Sequence, residues 1–264
     1  IPAVFVGMIL GVALYTYWGH PGRVRRRKKL GPRLVTDRPL QQDVHNMAAR
    51  VGVSPPPGVE MPHGYRGTTG QAFGLWGKYI IRLDGGLRVW RRIQPGRFSA
   101  IALHELAHIA NGDIGRSYFA EALWKAMIAL SIAPLILGVC RIIASGLFSG
   151  LLGGGFIGYL KALLNILPVA IGLFVQAGVT VMVVAAIRAR LLRTREIYAD
   201  WRAALWGAED SLKDIFRESA GKEKKPSGFD LWRLHPTAAE RLGTLDEPRR
   251  LFYLSWELPF VVGF

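Results

Sequence analysis

The chain has 264 residues, of which half are hydrophobic, and a formal net charge of +15 at pH 7. Its one cysteine, Cys140, excludes an intrachain disulfide. Although a strong positive charge favours nucleic acid in a soluble protein, the cations here cluster at the ends of membrane-length apolar runs and lack interleaved aromatic residues, so we expect no nucleic-acid partner.

The first apolar run, residues 3–19, carries no charge and ends in interfacial aromatic residues, so it predicts a transmembrane helix within residues 1–20. A signal peptide is the alternative. Against it, the cations follow the run instead of preceding it, and no small-residue cleavage site is evident. The basic block Arg23–Lys29 then predicts a cytoplasmic anchor beside the membrane. Because the chain opens at Ile1, residues before it could be missing.

Residues 33–100 form a soluble stretch. Apolar residues at helical spacing predict a helix over 37–51, and the proline- and glycine-rich residues 53–64 predict a connection. Residues 78–83 have strand character and precede a predicted turn at Gly85 and Gly86.

The segment His104-Glu105-Leu106-Ala107-His108 places two imidazoles four residues apart, so both lie on one face of a helix and can bind one metal ion. Zinc is the expected metal. Beside it, the Glu105 carboxylate can take a proton from the attacking water, which is the chemistry of a metallopeptidase. The sequence predicts a helix that begins near Pro95-Gly96 and stops at residues 111–113. The alternative is a helix that carries this triple by accident.

Residues 118–186 are overwhelmingly apolar and predict two further spans, over about residues 124–146 and 164–187, joined by the glycine-rich residues 150–155. Four arginines follow the second of these spans and form a second basic block: Arg188, Arg190, Arg193 and Arg195. The positive-inside rule therefore places both basic blocks in the cytoplasm and the glycine-rich connection on the other side.

The last stretch, residues 189–264, begins with a predicted helix over 194–202 and continues through a polar linker over 221–226. It ends in the apolar residues 251–264. That tail is too short to span a membrane and predicts a packed strand or an interfacial segment.

A catalytic zinc ion usually has three protein ligands, so the histidine pair leaves one to be found. A third histidine six residues beyond the pair, with glycine midway, is excluded because Asn111 and Ile114 occupy those positions. Asp84 superficially resembles the aspartate of site-2-type intramembrane proteases. We interpret it as a turn residue because it precedes the histidine motif and follows a strand-like run.

Glu196 is the third option, and with Asp200 it forms a Glu-x-x-x-Asp pair on one helix face. Glu196 could bind zinc while Asp200 orients a histidine from behind. A solvated acidic face is the alternative. If two spans separate His108 from Glu196, both residues return to the same side of the membrane and one zinc ion can join them.

The order of these motifs resembles the HtpX and CAAX prenyl protease type I family of membrane zinc metallopeptidases. The resemblance covers about residues 35–245. Five segments carry it: residues 104–113, the membrane hairpin, residues 195–200, His235-Pro236 and Arg241-Leu242. It implies a gluzincin-like catalytic domain on the cytoplasmic face, interrupted by the transmembrane hairpin. Family members usually begin with a membrane hairpin, whereas this chain shows one span there.

The resemblance also implies roles for individual residues. Glu196 would be the third zinc ligand, and His235 would steady the tetrahedral oxyanion near the metal, unless it is a capping or packing histidine. Gln71, Ala72 and Phe73 would belong to a strand that pairs with extended substrate. Residues behind the ligands would support them, namely Asp200, Asn111, Asp113 and Arg241.

The predicted architecture is therefore membrane α-helical plus α+β. Residues 1–20 form a transmembrane helix, 21–117 the first part of a cytoplasmic peptidase domain, 118–188 a transmembrane hairpin, and 189–264 the second part of the domain.

We expect a zinc endopeptidase, with one Zn²⁺ per chain, that cleaves membrane or membrane-associated proteins. The expected location is a bacterial cytoplasmic membrane, with the lipid bilayer as a partner and oligomerisation left open. Two alternatives stay open: an intramembrane protease, whose motif helix would lie inside the bilayer, and a non-catalytic scaffold that binds a metal.

Overall fold

The structure is a computed structural model that describes residues 2–19, 37–62, 67–151, 155–223 and 233–249. Its strands are β1 (Gly58–Glu60), β2 (Gly70–Leu75) and β3 (Lys78–Leu83). Its helices are α1 (Pro2–Trp18), α2 (Arg38–Arg50), α3 (Gly86–Ile93), α4 (Pro95–Ala110), α5 (Asp113–Leu151), α6 (Gly155–Ala203), α7 (Glu209–Ala220) and α8 (Ala238–Asp246). A π-helical segment, Ala204–Ala208, links α6 to α7.

The chain folds as two units. One unit consists of Ile1–Thr16 and Glu121–Arg188, and the other consists of Tyr17–Ala120 and Ala189–Phe264. The second unit contains the sheet and the histidine motif.

The sheet of the second unit has three strands in the order β1-β3-β2. β1 runs parallel to β3, with Gly58 opposite Ile80, and β2 runs antiparallel to β3, with Ala72 opposite Ile81. The two-residue turn between β2 and β3 has positive φ angles at Trp76 (50°) and Gly77 (78°), the signs that a type I′ hairpin turn requires. Within the described residues β2 therefore lies at the edge of the sheet.

Helix α4 is the central element of this unit. It begins at Pro95, and the missing N–H of proline costs nothing there because an N–H at the first helical position has no partner within the helix. Its C-cap is Asn111, and the next residue, Gly112, has a positive φ of 68°. It contacts α2, α3, α7 and the β2–β3 hairpin, and its buried small and apolar residues include Ala100, Ala102, Leu103, Leu106 and Ala107. Burial on nearly all sides explains why the histidine motif is also buried.

Several predicted elements of the second unit are confirmed. The helix over 37–51 is α2, the strand over 78–83 is β3, and the motif helix is α4. Two details were wrong. Residues 58–60, predicted as part of a connection, form β1, and Gly86, predicted in a turn, starts α3. A glycine at the N-cap is compatible with a helix start, and α3 is anchored by the fully buried Leu87.

The first unit consists of helices. The spans predicted over 124–146 and 164–187 both fall within helices, in α5 and α6 respectively, and residues 3–18 fall within α1. In the described part of the chain one helical stretch, Ala170–Ala220, is long and apolar enough to cross a membrane, and its most apolar part is almost entirely exposed. A shorter apolar stretch is Leu135–Gly146. The transmembrane hairpin therefore stays a prediction.

Several predicted features lie wholly or partly outside the described residues. They are the basic block over 23–29, residues 63–64 of the predicted connection, residues 152–154 of the glycine-rich connection, residues 224–226 of the polar linker, and the tail over 251–264.

Candidate metal centre

The two motif histidines occupy successive turns of α4 and point at the same place. The Nε2 atoms of His104 and His108 are 3.1 Å apart, and both side chains are buried. This arrangement follows from the helical repeat, because residues four positions apart lie on the same face.

Glu196 on α6 completes a three-residue cluster. Its Oε2 lies 3.6 Å from Nε2 of His104, and its Oε1 lies 3.6 Å from Nε2 of His108. Ligand atoms about 2.0–2.1 Å from a tetrahedral zinc ion stand about 3.4 Å from one another, so these spacings fit one ion. In the described part of the chain this is the one group of at least three histidine, cysteine, aspartate or glutamate residues that could hold a metal ion.

A carboxylate lies behind each histidine. Oδ1 of Asp200 is 2.8 Å from Nδ1 of His104, although the two groups are not well aligned for a hydrogen bond, and Oδ2 of Asp113 is 3.3 Å from Nδ1 of His108. Asn111 donates its side-chain N–H to the same Asp113 oxygen at 3.3 Å. A carboxylate at Nδ1 favours the tautomer in which Nε2 is free to bind a metal.

Asp200 is also paired with Arg241 on α8. The guanidinium donates from Nε and Nη2 to the two carboxylate oxygens at 2.6 and 2.5 Å, and it stacks over Phe216 at 4.2 Å. Helix α8 is fixed at its start by a capping box between Thr237 and Glu240. Burial alone would raise the pKa of Asp200, but Arg241 and His104 outweigh burial and lower it.

The electrostatics of the cluster favour a cation. Burial alone would lower the pKa of His104, but the Asp200 and Glu196 carboxylates raise it to about 10. Burial would likewise raise the pKa of Glu196, but the two imidazoles and Arg195 lower it. A metal ion bound here would place positive charge beside Glu196 while leaving the imidazoles neutral.

Glu105 lies next to the edge strand. Its Oε2 accepts a hydrogen bond from the backbone N–H of Ala72 on β2 at 2.6 Å, and its side chain is buried. A Cβ atom at Gly70 would stand 2.7 Å from Cγ of Glu105 and 2.9 Å from its Oε1, so this close approach requires glycine at position 70.

The strand predicted to pair with substrate is β2, which contains Gln71, Ala72 and Phe73. Phe73 is 3% exposed and carries the Arg82 guanidinium over its ring at 4.9 Å, so it anchors the strand in the core. The backbone N–H of Gly74 donates to the hydroxyl of Tyr118 on α5 at 3.1 Å.

His235 is near the cluster but exposed. Its Nδ1 lies 4.0 Å from Oε2 of Glu196, and 73% of its side chain is accessible to solvent. This separation is too long for a hydrogen bond. Asp84, by contrast, is buried at the end of β3 and accepts a hydrogen bond from the Thr69 hydroxyl at 2.5 Å, so it tethers the residue before β2.

Four residues that shape this site were not found from the sequence. Arg195 donates a hydrogen bond to Glu196, and Ser117 accepts one from Arg195. Gly70 leaves space for the Glu105 side chain, and the Tyr118 hydroxyl accepts a hydrogen bond from the edge strand. Arg195 was placed in a basic block and in the segment that carries the family resemblance, but no role in the site was predicted for it. Its place directly before the glutamate was a visible signal, whereas nothing in the sequence marked the other three.

No curated protein and no solved structure matches the chain significantly. The model of peptidase family M48 matches residues 35–249, which is most of the chain and includes every residue of the metal cluster. The chain belongs to peptidase family M48, the zinc metalloprotease family that contains HtpX and CAAX prenyl protease type I.

Proposed function

We propose that this metalloendopeptidase binds one Zn²⁺ ion through His104, His108 and Glu196. The observation that carries the proposal is that the two histidine Nε2 atoms lie 3.1 Å apart and that each lies 3.6 Å from one oxygen of the Glu196 carboxylate. Two histidines and one glutamate, with a position left for water, form a known catalytic zinc arrangement. No cysteine is among the donors, so the site lacks the thiolates of most structural zinc sites.

Glu105 is the proposed general base. A bound zinc ion would acidify the attacking water and polarise the scissile carbonyl. Glu105 follows His104 directly on α4, is buried with it, and carries the carboxylate that accepts the water proton. The same carboxyl group then delivers that proton to the leaving nitrogen.

We infer that substrate adds as a strand along the outer edge of β2. The N–H groups of Ala72 and Gly74 point away from β3, because each is bonded to a side chain from a helix. Glu105 bonds Ala72 in the structure described here, so a substrate carbonyl that took over the Ala72 N–H would release the base where it is needed. Binding and activation of the base are coupled in this proposal.

His235 is the proposed stabiliser of the oxyanion. It is solvent-exposed and lies 4.0 Å from a metal-ligand oxygen, so it can turn toward a substrate without breaking a buried contact. An imidazole beside a developing negative charge donates a hydrogen bond that strengthens in the transition state.

We further propose that the enzyme is embedded in a bacterial cytoplasmic membrane and cleaves membrane or membrane-associated proteins at a cytoplasmic active site. The apolar stretch within Ala170–Ala220 supports a membrane span, and the arginines that follow it, from Arg188 to Arg195, support a cytoplasmic end. We also propose that α1 and α5 cross the membrane. The proposal leaves the oligomeric state open.

The substitution Glu196→Gln tests the ligand set. A neutral amide is a poor zinc ligand, so the variant should lose zinc during dialysis against a mild chelator, whereas the wild-type protein should keep one zinc per chain. Elemental analysis of both proteins after the same dialysis measures this. Glu209→Gln on α7 is the matched control, because Glu209 pairs with Lys213 instead of the histidines. A Glu196→Gln protein with stoichiometric zinc would show that another residue is the third ligand.

A further inference from the structure

Arg195 is placed against the glutamate that we propose as a metal ligand. Its guanidinium donates twice to Oε1 of Glu196, from Nε at 3.2 Å and from Nη2 at a shorter distance. Adjacent residues of a helix do not normally face each other, so this contact needs a further anchor.

Helix α5 provides that anchor. Nη1 of Arg195 donates to the hydroxyl oxygen of Ser117, and this hydroxyl in turn donates to the backbone carbonyl of Asp113 at 2.7 Å. The Asp113 side chain contacts His108. The first turns of α5 therefore hold one metal-binding histidine directly and Glu196 through Arg195.

The two oxygens of Glu196 consequently differ. A carboxylate oxygen offers about two lone pairs in the plane of the group, and Arg195 uses two donors on Oε1. Each oxygen lies 3.6 Å from one imidazole Nε2, Oε1 from that of His108 and Oε2 from that of His104, but both hydrogen bonds from Arg195 go to Oε1. Oε2 is thus the oxygen with lone pairs left for a metal.

We propose that Arg195 is a positioning residue that restricts Glu196 to coordination through Oε2 alone. This inference rests on the proposed metal site. One coordination position of the metal then stays free. A glutamate that bound through both oxygens would occupy a position that water or the substrate carbonyl needs. The positive charge of Arg195 also repels the bound cation. Arg195 therefore lowers the affinity for the metal while it keeps one coordination position open.

The test uses the full-length protein with Co²⁺ in place of zinc. Visible absorption reports the coordination number, because the d–d bands of Co²⁺ weaken as ligands are added, and X-ray absorption counts the ligands. Arg195→Met should gain one oxygen ligand and show weaker bands. It should also release Co²⁺ to a chelator about tenfold more slowly, within the range by which groups behind the ligands change metal affinity.

Two variants support this comparison. Ser117→Ala removes the anchor but keeps the arginine, so it should change both measurements in the same direction and by less. Arg193→Met removes a charge two residues away on the same helix and should keep the wild-type spectrum. If Arg195→Met does not fold, the same two measurements on Ser117→Ala decide the matter.

The outcomes separate the two proposals. If wild-type protein does not bind one Co²⁺ per chain, or if its spectrum is unchanged in Glu196→Gln, the proposed metal site is wrong. If wild-type protein binds Co²⁺ and Arg195→Met keeps the coordination number, the role of Arg195 is wrong and the metal site stands. Faster release of Co²⁺ from Arg195→Met without an additional ligand would also overturn the inference, because a substitution that merely disrupts the metal site would give that result.

Discussion

Asp200 connects the metal cluster to the rest of its unit. The side chain is 1% exposed and lies 2.8 Å from Nδ1 of His104. It also accepts two hydrogen bonds from the Arg241 guanidinium. A buried carboxylate is stable only with such compensation. Asp200 therefore ties the orientation of one proposed ligand to the position of α8.

We expect Asp200→Asn to weaken zinc binding by about 10- to 100-fold, which is less than Glu196→Gln, because the histidine loses its charged support while all three ligands stay. The melting temperature should also fall, since Arg241 loses its anionic partner. Competition with a fluorescent chelator measures the first effect, and thermal unfolding at saturating zinc measures the second. Wild-type zinc affinity in this variant would show that Asp200 does not support His104.

At the residue scale, the sequence predicted what local helix geometry determines. The histidine pair and Glu105 follow from spacing within one helix. Glu196 lies on a different helix, so the parity of the predicted spans left it as one option, and the resemblance to a family assigned it as the third ligand. Arg195 was missed because neighbouring positions on a helix are expected to diverge, and its contact depends on Ser117 of α5.

At the scale of elements, β2 and α4 approach more closely than side chains normally allow. Gly70 permits this approach, and Glu105 fills the space above it. The hydrogen bond from Ala72 to Glu105 then fixes the edge strand against the motif helix. The short distance between β2 and the Glu105 side chain therefore depends on the absence of a side chain at position 70.

We predict that Gly70→Ala keeps the fold and the metal but loses activity. The three atoms nearest to the added methyl group all belong to the Glu105 side chain, at 2.7 to 3.0 Å, so Glu105 has to shift while the proposed zinc ligands keep their places and zinc content should stay near wild type. Displacement of the base should lower kcat, with complete loss of general-base catalysis, about 10²- to 10⁴-fold, as the upper limit. Gly52→Ala is not a suitable control because its φ is positive. Gly58→Ala is suitable, since its Cβ would make only ordinary contacts. An unchanged kcat for Gly70→Ala would contradict the assigned position of Glu105.

Elements with a strong local pattern were predicted and short ones were missed. α2, β3 and α4 follow from their spacing of apolar residues. β1 has three residues in a proline- and glycine-rich stretch, and it is a strand only because β3 lies beside it in parallel. α3 has eight residues with three arginines, two of which pair with Asp37 and Asp43 of the α2 region, so its stability depends on contacts far along the chain.

At the scale of the whole molecule, the proposed topology places residues 23–117 and 189–250 on the cytoplasmic side. A reporter fused after Lys222 should therefore report a cytoplasmic location, and a reporter in the glycine-rich segment, after Gly153, should report the opposite side. Paired enzyme reporters that are active on only one side of the membrane measure this. A non-cytoplasmic signal at Lys222 would overturn the topology but would leave the metal site untouched.

In the proposed mechanism Glu105 acts on the attacking water while three other residues hold the metal. Glu105→Gln keeps the size and shape of the side chain and removes the base, so zinc content and cleavage of unfolded casein should be measured on one preparation of this variant and of wild type. We predict wild-type zinc content with cleavage reduced by about 10²- to 10⁴-fold or more. Wild-type zinc content with unchanged cleavage would contradict the role of Glu105 and the mechanism built on it.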